Sequence, residues 1–179
     1  MDSEEKVLEV LFENSNKEYH VRLLAKLTNL NPNTIINITD KLKKESLLTK
    51  QKDVDTNRVL IKAKIQDRYF KLKKKFYNTD KIYKSGLIEF LEEKLSYPTV
   101  ILFGSYAKAE NHVESDIDLF IICDEKIELD LNVFENVLNT KIQLFIHTKQ
   151  EFKKMKTNNK ELINNVLNGY IMTGYLEVL

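Results

Sequence analysis

The residues best suited to chemistry are Asp116 and Asp118, one residue apart at the head of an apolar run in FGSYAKAENHVESDIDLFI (103–121). Alternation with period two over ESDIDLFIIC sets Asp116, Asp118, Phe120 and Ile122 on one strand face and Ile117, Leu119, Ile121 and Cys123 on the other. Both carboxylates then point the same way, about 7 Å apart by the rise of a strand, close enough to share divalent ions. Like charges so placed repel unless cations neutralise them, and hard oxygen ligands suit Mg2+ (or Mn2+). Upstream, Gly104 and Ser105 end the apolar stretch TVILF in a tight turn. With no side chain, Gly104 lets the backbone approach a polyphosphate, whose oxygens the N–H groups and hydroxyl at the start of the next helix can hold. A triphosphate between turn and metal ions would be attacked in line at its α-phosphorus.

These parts come in order: a hydrophobic strand, a Gly-Ser turn, a short helix (YAKAEN), Asp-x-Asp opening a second strand, and TKIQLFIHT as a third. In this, residues 99–179 resemble the minimal nucleotidyltransferases of the DNA polymerase β superfamily. Gly104, Ser105, Asp116 and Asp118 match that signature, and Ser115 fits its common SDIDL form. The later QEFKKMKTNNKELINNVLNGYIMTGY is similar to the helical tail of archaeal members that carry a winged helix in front. The resemblance implies an α/β nucleotidyltransferase-like domain with a small mixed sheet. It also implies metal-dependent transfer of a nucleoside monophosphate from a nucleoside triphosphate to a protein or nucleic-acid acceptor. In that scheme Asp116 and Asp118 are the catalytic metal ligands, and Gly104 and Ser105 bind the nucleotide. Stand-alone relatives pair with a HEPN toxin and attach AMP to it, so a HEPN-type partner and an antitoxin-like or autoregulatory role are further expectations.

One departure bears on activity. The superfamily commonly supplies a third carboxylate from the next strand, but in KIQLFI, with Ile142, Leu144 and Ile146 on one face, that place falls to Gln143. A glutamine amide cannot take a proton, so Asp124, Glu125, Glu151 or the substrate supplies the base, or the reaction is slow or lost. Loss would leave a DNA-binding regulator whose second domain binds nucleotide or a partner without turnover. Ala109 stands where many relatives have glycine. Of the three histidines, His112 falls in the loop before the aspartates, His147 shares the face of Gln143, and His20 starts a helix.

The elements around this site read as α+β in three parts. Residues 1–66 pattern as three short helices and a two-stranded hairpin. Asn31 and Pro32 make a good helix start, and Ile35, Ile38, Leu42 and Leu47 face a core. The polar turn DVDTN separates strand-like stretches at 47–50 and 58–65. This order resembles the winged helix-turn-helix of bacterial and archaeal transcription regulators. It makes DNA the expected partner, with Asn33, Thr34 and Asn37 toward base edges and Lys41, Lys44 and Arg58 among the residues toward phosphates. Such modules usually act as homodimers. Residues 67–98 read as a helical connector in which the run Lys73, Lys74, Lys75 faces water. Residues 99–179 form the nucleotidyltransferase-like domain.

Composition sets the outer limits. Of 179 residues, 42% are hydrophobic and 31% charged, as in globular proteins, and the net charge is +1. Residues 1–66 carry 12 Lys and Arg against 10 Asp and Glu, whereas residues 100–179 carry 8 against 12, an anion-binding front and a cation-binding back. The N-terminus is acidic where a signal peptide would be basic, and no apolar run approaches the roughly 20 residues of a membrane helix, giving a cytoplasmic expectation. A single cysteine, Cys123, excludes an internal disulfide and a cysteine-based zinc site.

Overall fold

A computed structural model describes residues 2–54 and 58–176. The chain divides into two compact units, Met1–Tyr77 and Asn78–Leu179, with the boundary inside one helix.

The first unit begins with α1 (Ser3–Glu13), β1 (Glu18–His20), α2 (Val21–Thr28) and α3 (Pro32–Lys44). Local signals account for these ends. His20 caps α2 by accepting the Leu23 N–H on Nδ1 at 3.1 Å, and left-handed Asn29 closes it. Asn31 caps α3 through the Asn33 N–H at 2.9 Å, ahead of Pro32. The hairpin strands are β2 (Leu48–Lys52) and β3 (Val59–Ala63). Part of the expected turn, 55–57, lies outside the described residues. The ribbon is three-stranded rather than two-stranded: β1 pairs antiparallel with β3, giving the order β1-β3-β2. Three residues were too short a run to show as a strand in the sequence. Val7, Leu11, Leu24, Ile35, Leu42, Leu47, Ile61 and Phe70 form the core of this unit.

Phe70 belongs to α4 (Arg68–Lys84), which carries the boundary between the units. Here the sequence reading of the lysine run needs correction. Lys74 does not face water: it is 1% exposed and its ammonium donates to Ser15 Oγ at 2.8 Å. It lies four residues after Phe70, so helical periodicity turns it inward onto α1. Burial pulls its pKa down to about 8.

The second unit continues with α5 (Leu87–Lys94), β4 (Thr99–Phe103), α6 (Gly104–Lys108) and β5 (Ile117–Ile122). Then follow α7 (Asn132–Leu138), β6 (Ile142–His147), α8 (Lys149–Asn158), α9 (Lys160–Leu167) and β7 (Tyr170–Thr173). The sheet order is β6-β5-β4-β7, with β5 and β6 parallel and the other pairs antiparallel, which makes it a small mixed sheet. β7 corrects the expectation of a purely helical tail: the short YIMT segment pairs with β4. Both faces of the sheet are covered. Val100, Leu102, Ile117, Leu119 and Ile121 pack with Leu87, Ile88 and Leu91 of α5 and with Leu138 of α7. Ile101, Phe103, Phe120 and Ile122 pack with Phe152 of α8 and Ile163 and Val166 of α9.

Candidate active site

The division of β5 side chains between those two clusters puts Asp118 on the face of Phe120 and Ile122. Register places it opposite Phe103, the last residue of β4, and beside Gln143 of β6. Gly104 follows directly. Its φ is +68°, and a Cβ there would stand 2.2 Å from Asp118 Oδ2 and 3.1 Å from Cγ. Only glycine permits both the left-handed turn and the carboxylate lying against it. The turn feeds straight into α6, so Gly104 and Ser105 belong to its first turn, whose N–H groups have no intrahelical acceptors. That start is two residues earlier than the YAKAEN helix of the sequence reading.

Asp116 is exposed and Asp118 half-buried. Loss of water, and then the charge of Asp116, push the Asp118 carboxyl above its usual range. The loop before them is held by its own turn: the His112 N–H donates to Ser115 Oγ at 2.9 Å, and the Glu114 N–H donates to His112 Nδ1 at 3.3 Å. His112 thus shapes the approach to the aspartates while its side chain remains in the exposed loop.

Three groups the sequence reading passed over support this end of the sheet. Asn78, 1% exposed, donates to the Tyr106 carbonyl and to Asn111 Oδ1, each at 2.9 Å, and so anchors α6. Tyr106 shares a hydrogen bond of 3.2 Å with Thr140 Oγ1. Beside Asp116 opens a cavity of about 400 Å³ lined by Ser115, Glu135, Asn136, Asn139 and Lys141. Its Glu135 carboxylate accepts from Lys141 Nζ at 2.7 Å and from the Ile142 N–H at 3.0 Å, which hold it below its ordinary range. No spacing in the sequence announces these residues, because loops bring them together.

The substitute bases named from the sequence lie at the wrong end. From Asp118 to the end of β5 at Ile122 the strand advances about 13 Å, and Asp124 and Glu125 lie beyond that end. Glu151 caps α8 through the Thr148 N–H at 2.8 Å and binds Lys126 at 2.7 Å, and Cys123 donates to the Glu125 carbonyl. His147 pairs with Ile122, stacks on Phe120 at 5.0 Å between ring centroids and stands 3.9 Å from Glu151. Burial lowers its pKa. These residues cluster where β5 and β6 end, whereas Asp116 and Asp118 stand where β5 begins. Among the described residues, no group of three or more His, Cys, Asp or Glu is placed to hold a metal. The site therefore offers two carboxylates and the exposed Gln143.

In the first unit, Asn33, Asn37, Lys44 and Arg58 are exposed and Thr34 is half-buried. Lys41 is exposed but its ammonium lies 2.6 Å from Glu4 and 3.9 Å from Glu45, so its charge is already answered. No helix among the described residues is long and apolar enough to cross a membrane.

Residues 85–173 match the family model described as polymerase beta nucleotidyltransferase. The match lies within the second unit, and Gly104, Ser105, Asp116, Asp118 and Gln143 all fall inside it. Comparison with curated proteins returns no match.

Proposed function

We propose that this protein is a metal-dependent nucleotidyltransferase, moving a nucleoside monophosphate from a nucleoside triphosphate to a protein or nucleic-acid acceptor. We further propose that its first unit is a winged helix-turn-helix that binds DNA. The observation that carries the enzymatic reading is the Gly104 turn lying without a side chain against Asp118, within the nucleotidyltransferase match.

The donor set fits a hard divalent cation. Asp116 directly precedes β5 and Asp118 lies on it, and Asp118 bears both desolvation and the charge of Asp116, a strain that a cation relieves. Asp116 and Asp118 would hold Mg2+ or Mn2+, which when bound supplies charge stabilisation to the attacking and leaving oxygens. The chain's own groups do the rest. The N–H groups of Gly104 and Ser105 and the Ser105 hydroxyl hold triphosphate oxygens. The cavity beside Asp116 gives room for nucleoside or acceptor, with Asn136 and Asn139 as hydrogen-bonding groups, while the Lys141 ammonium is held by Glu135. Gln143 can orient an acceptor but cannot deprotonate it, so the acceptor proton leaves to a substrate phosphate or to water.

For DNA, α2 and α3 with the three-stranded ribbon support a groove-reading helix. Asn33, Thr34 and Asn37 lie near its start, and Lys44 and Arg58 stand exposed for phosphates. Lys41 joins them only by leaving Glu4. An antitoxin-like or autoregulatory role, with a HEPN-type protein as acceptor and the chain as a homodimer, extends this reading. A HEPN-type toxin in the neighbouring gene would favour it.

A second reading rests on Gln143: a DNA-binding regulator whose nucleotidyltransferase domain binds nucleotide without turnover. Incubation with labelled ATP, CTP, GTP or UTP, Mg2+ and cell lysate separates the two. Transfer of label that Asp116→Asn with Asp118→Asn abolishes supports the enzyme. Binding of nucleotide without transfer supports the regulator.

A further inference from the structure

We propose that the second unit carries another ligand site, at the far end of its sheet, that binds a nucleoside phosphate. A cavity of about 240 Å³ lies there, bounded by the α5–β4 loop, the end of β5, one face of α8 and the residues after β7. Its floor is apolar: Phe152, Ile122 and Cys123 line it and are all buried. Its walls include two tyrosine rings, Tyr97 and Tyr175, that are 83% and 71% exposed. Its rim carries Lys149, Lys153 and Lys156, which recur at helical spacing along one face of α8. Asp124 is the one acidic lining residue, 3.7 Å from Lys149. Lys149 faces Asp124 and the Lys156 ammonium sits over the Phe152 ring at 5.1 Å, but three lysines against one carboxylate still leave an excess of positive charge that selects an anion, and exposed aromatic residues around an apolar floor select a planar ring.

The walls are also built to hold their shape. Ser96 and Tyr97, adjacent and neither a glycine, have φ of 53° and 57°, a conformation L residues rarely adopt. Across from them Gly174 has φ +75°, and a Cβ there would meet the Pro98 carbonyl oxygen at 2.7 Å. Thr99 Oγ1 donates to the Tyr175 carbonyl at 2.6 Å. The backbones bearing the two tyrosines are therefore tied together at the edge of the cavity. The left-handed pair ends α5, with the Tyr97 N–H donating to the Glu92 carbonyl at 2.9 Å, and this cap fixes the backbone from which the exposed Tyr97 projects.

This site is separate from the aspartates. The cavity lies at the Thr99–Ile122 pairing and Asp118 at the Phe103 pairing, four residues or about 13 Å along the strands. It contains no carboxylate pair, so binding there needs no divalent metal.

The test uses full-length protein carrying Asp116→Asn and Asp118→Asn, in EDTA, so that failure of the catalytic reading leaves it unaffected. Calorimetry with AMP, adenosine and inorganic phosphate is expected to show one AMP per chain, with adenosine and phosphate each weaker. Adding Lys153→Glu, or separately Tyr97→Ala, should weaken AMP by about tenfold while thermal melting stays cooperative, since both side chains sit on the rim or wall. Absence of AMP binding, binding that neither substitution weakens, or phosphate binding as tightly as AMP would each overturn the proposal.

Discussion

Replacing Gly104 by alanine isolates the geometry on which the catalytic reading depends. Two costs can be worked from the structure. At φ +68° an alanine pays about 1–2 kcal/mol for the left-handed conformation. Its Cβ would also stand 2.2 Å from Asp118 Oδ2, so carboxylate or turn must move by roughly 1 Å, at about 1 kcal/mol for an off-rotamer side chain. Stability should fall by about 2–3 kcal/mol, a melting shift of roughly 5–10 °C. Function should fall further, because a 1 Å misplacement at a reacting centre costs on the order of 100-fold. Gly86 supplies the control: its φ is +77° but an added Cβ meets nothing within 4 Å, so Gly86→Ala carries the backbone cost alone. Nucleotide transfer from labelled triphosphate and Mn2+ affinity, measured for both variants beside their melting curves, separate strain from site damage. If Gly104→Ala binds Mn2+ and transfers label within about threefold of Gly86→Ala, roughly 0.6 kcal/mol, the packing of turn on carboxylate is not what the site needs.

Other outcomes follow from particular residues. Gln143→Glu restores a carboxylate beside Asp118, and Mn2+ affinity and transfer should both rise, by about tenfold or more; no rise in either would count against Gln143 as the missing third position. Lys74→Met removes a buried lysine whose pKa falls from 10.5 unfolded to about 8 folded. Between those values the unfolded chain binds a proton that the folded chain lacks, so this lysine makes stability rise with pH and costs most below pH 8, about 3 kcal/mol in full. The variant should be more stable than the parent in denaturant melts at pH 7, and that advantage should vanish by pH 10.5; a constant difference would refute the assignment. Lys44→Glu with Arg58→Glu should abolish binding to the upstream DNA of the gene, and parental affinity should fall steeply with salt; salt-independent binding would sink the DNA reading. Lys41→Glu is the poorer probe, since it sets a third carboxylate beside Glu4 and Glu45 and so changes local stability as well as any phosphate contact. Ala109→Gly relieves a left-handed φ of 58° at the end of α6 and should stabilise by up to about 1 kcal/mol, read from the melting temperature.

Legibility in the sequence tracked how local the cause was. Alternation along β5 assigns Asp118 and Phe120 to one face and Ile117, Leu119 and Ile121 to the other, because a pleated strand has period two whatever lies beside it. Asn31 with Pro32 marks the start of α3, because cap and first turn involve only neighbouring residues. Three consecutive lysines pattern as a solvated face, whereas the helix turns Lys74 to the side of buried Phe70. β1 and β7 were missed because three or four residues carry too little pattern, and only pairing with β3 and β4 makes them strands.

By itself, then, the sequence determined which residue types meet at the Gly-Ser turn and the Asp-x-Asp strand, and which way each strand's side chains alternate. Only the tertiary structure decided what stands opposite them. Strand pairing sets Gln143 beside Asp118 and sends Asp124, Glu151 and His147 to the other end, although Asp124 is just six residues away in the chain. The strand carries the chain about 13 Å from Asp118 to its end at Ile122, with Asp124 beyond, while loops and register bring Lys141 and Glu135 to the cavity beside Asp116 from farther along the sequence.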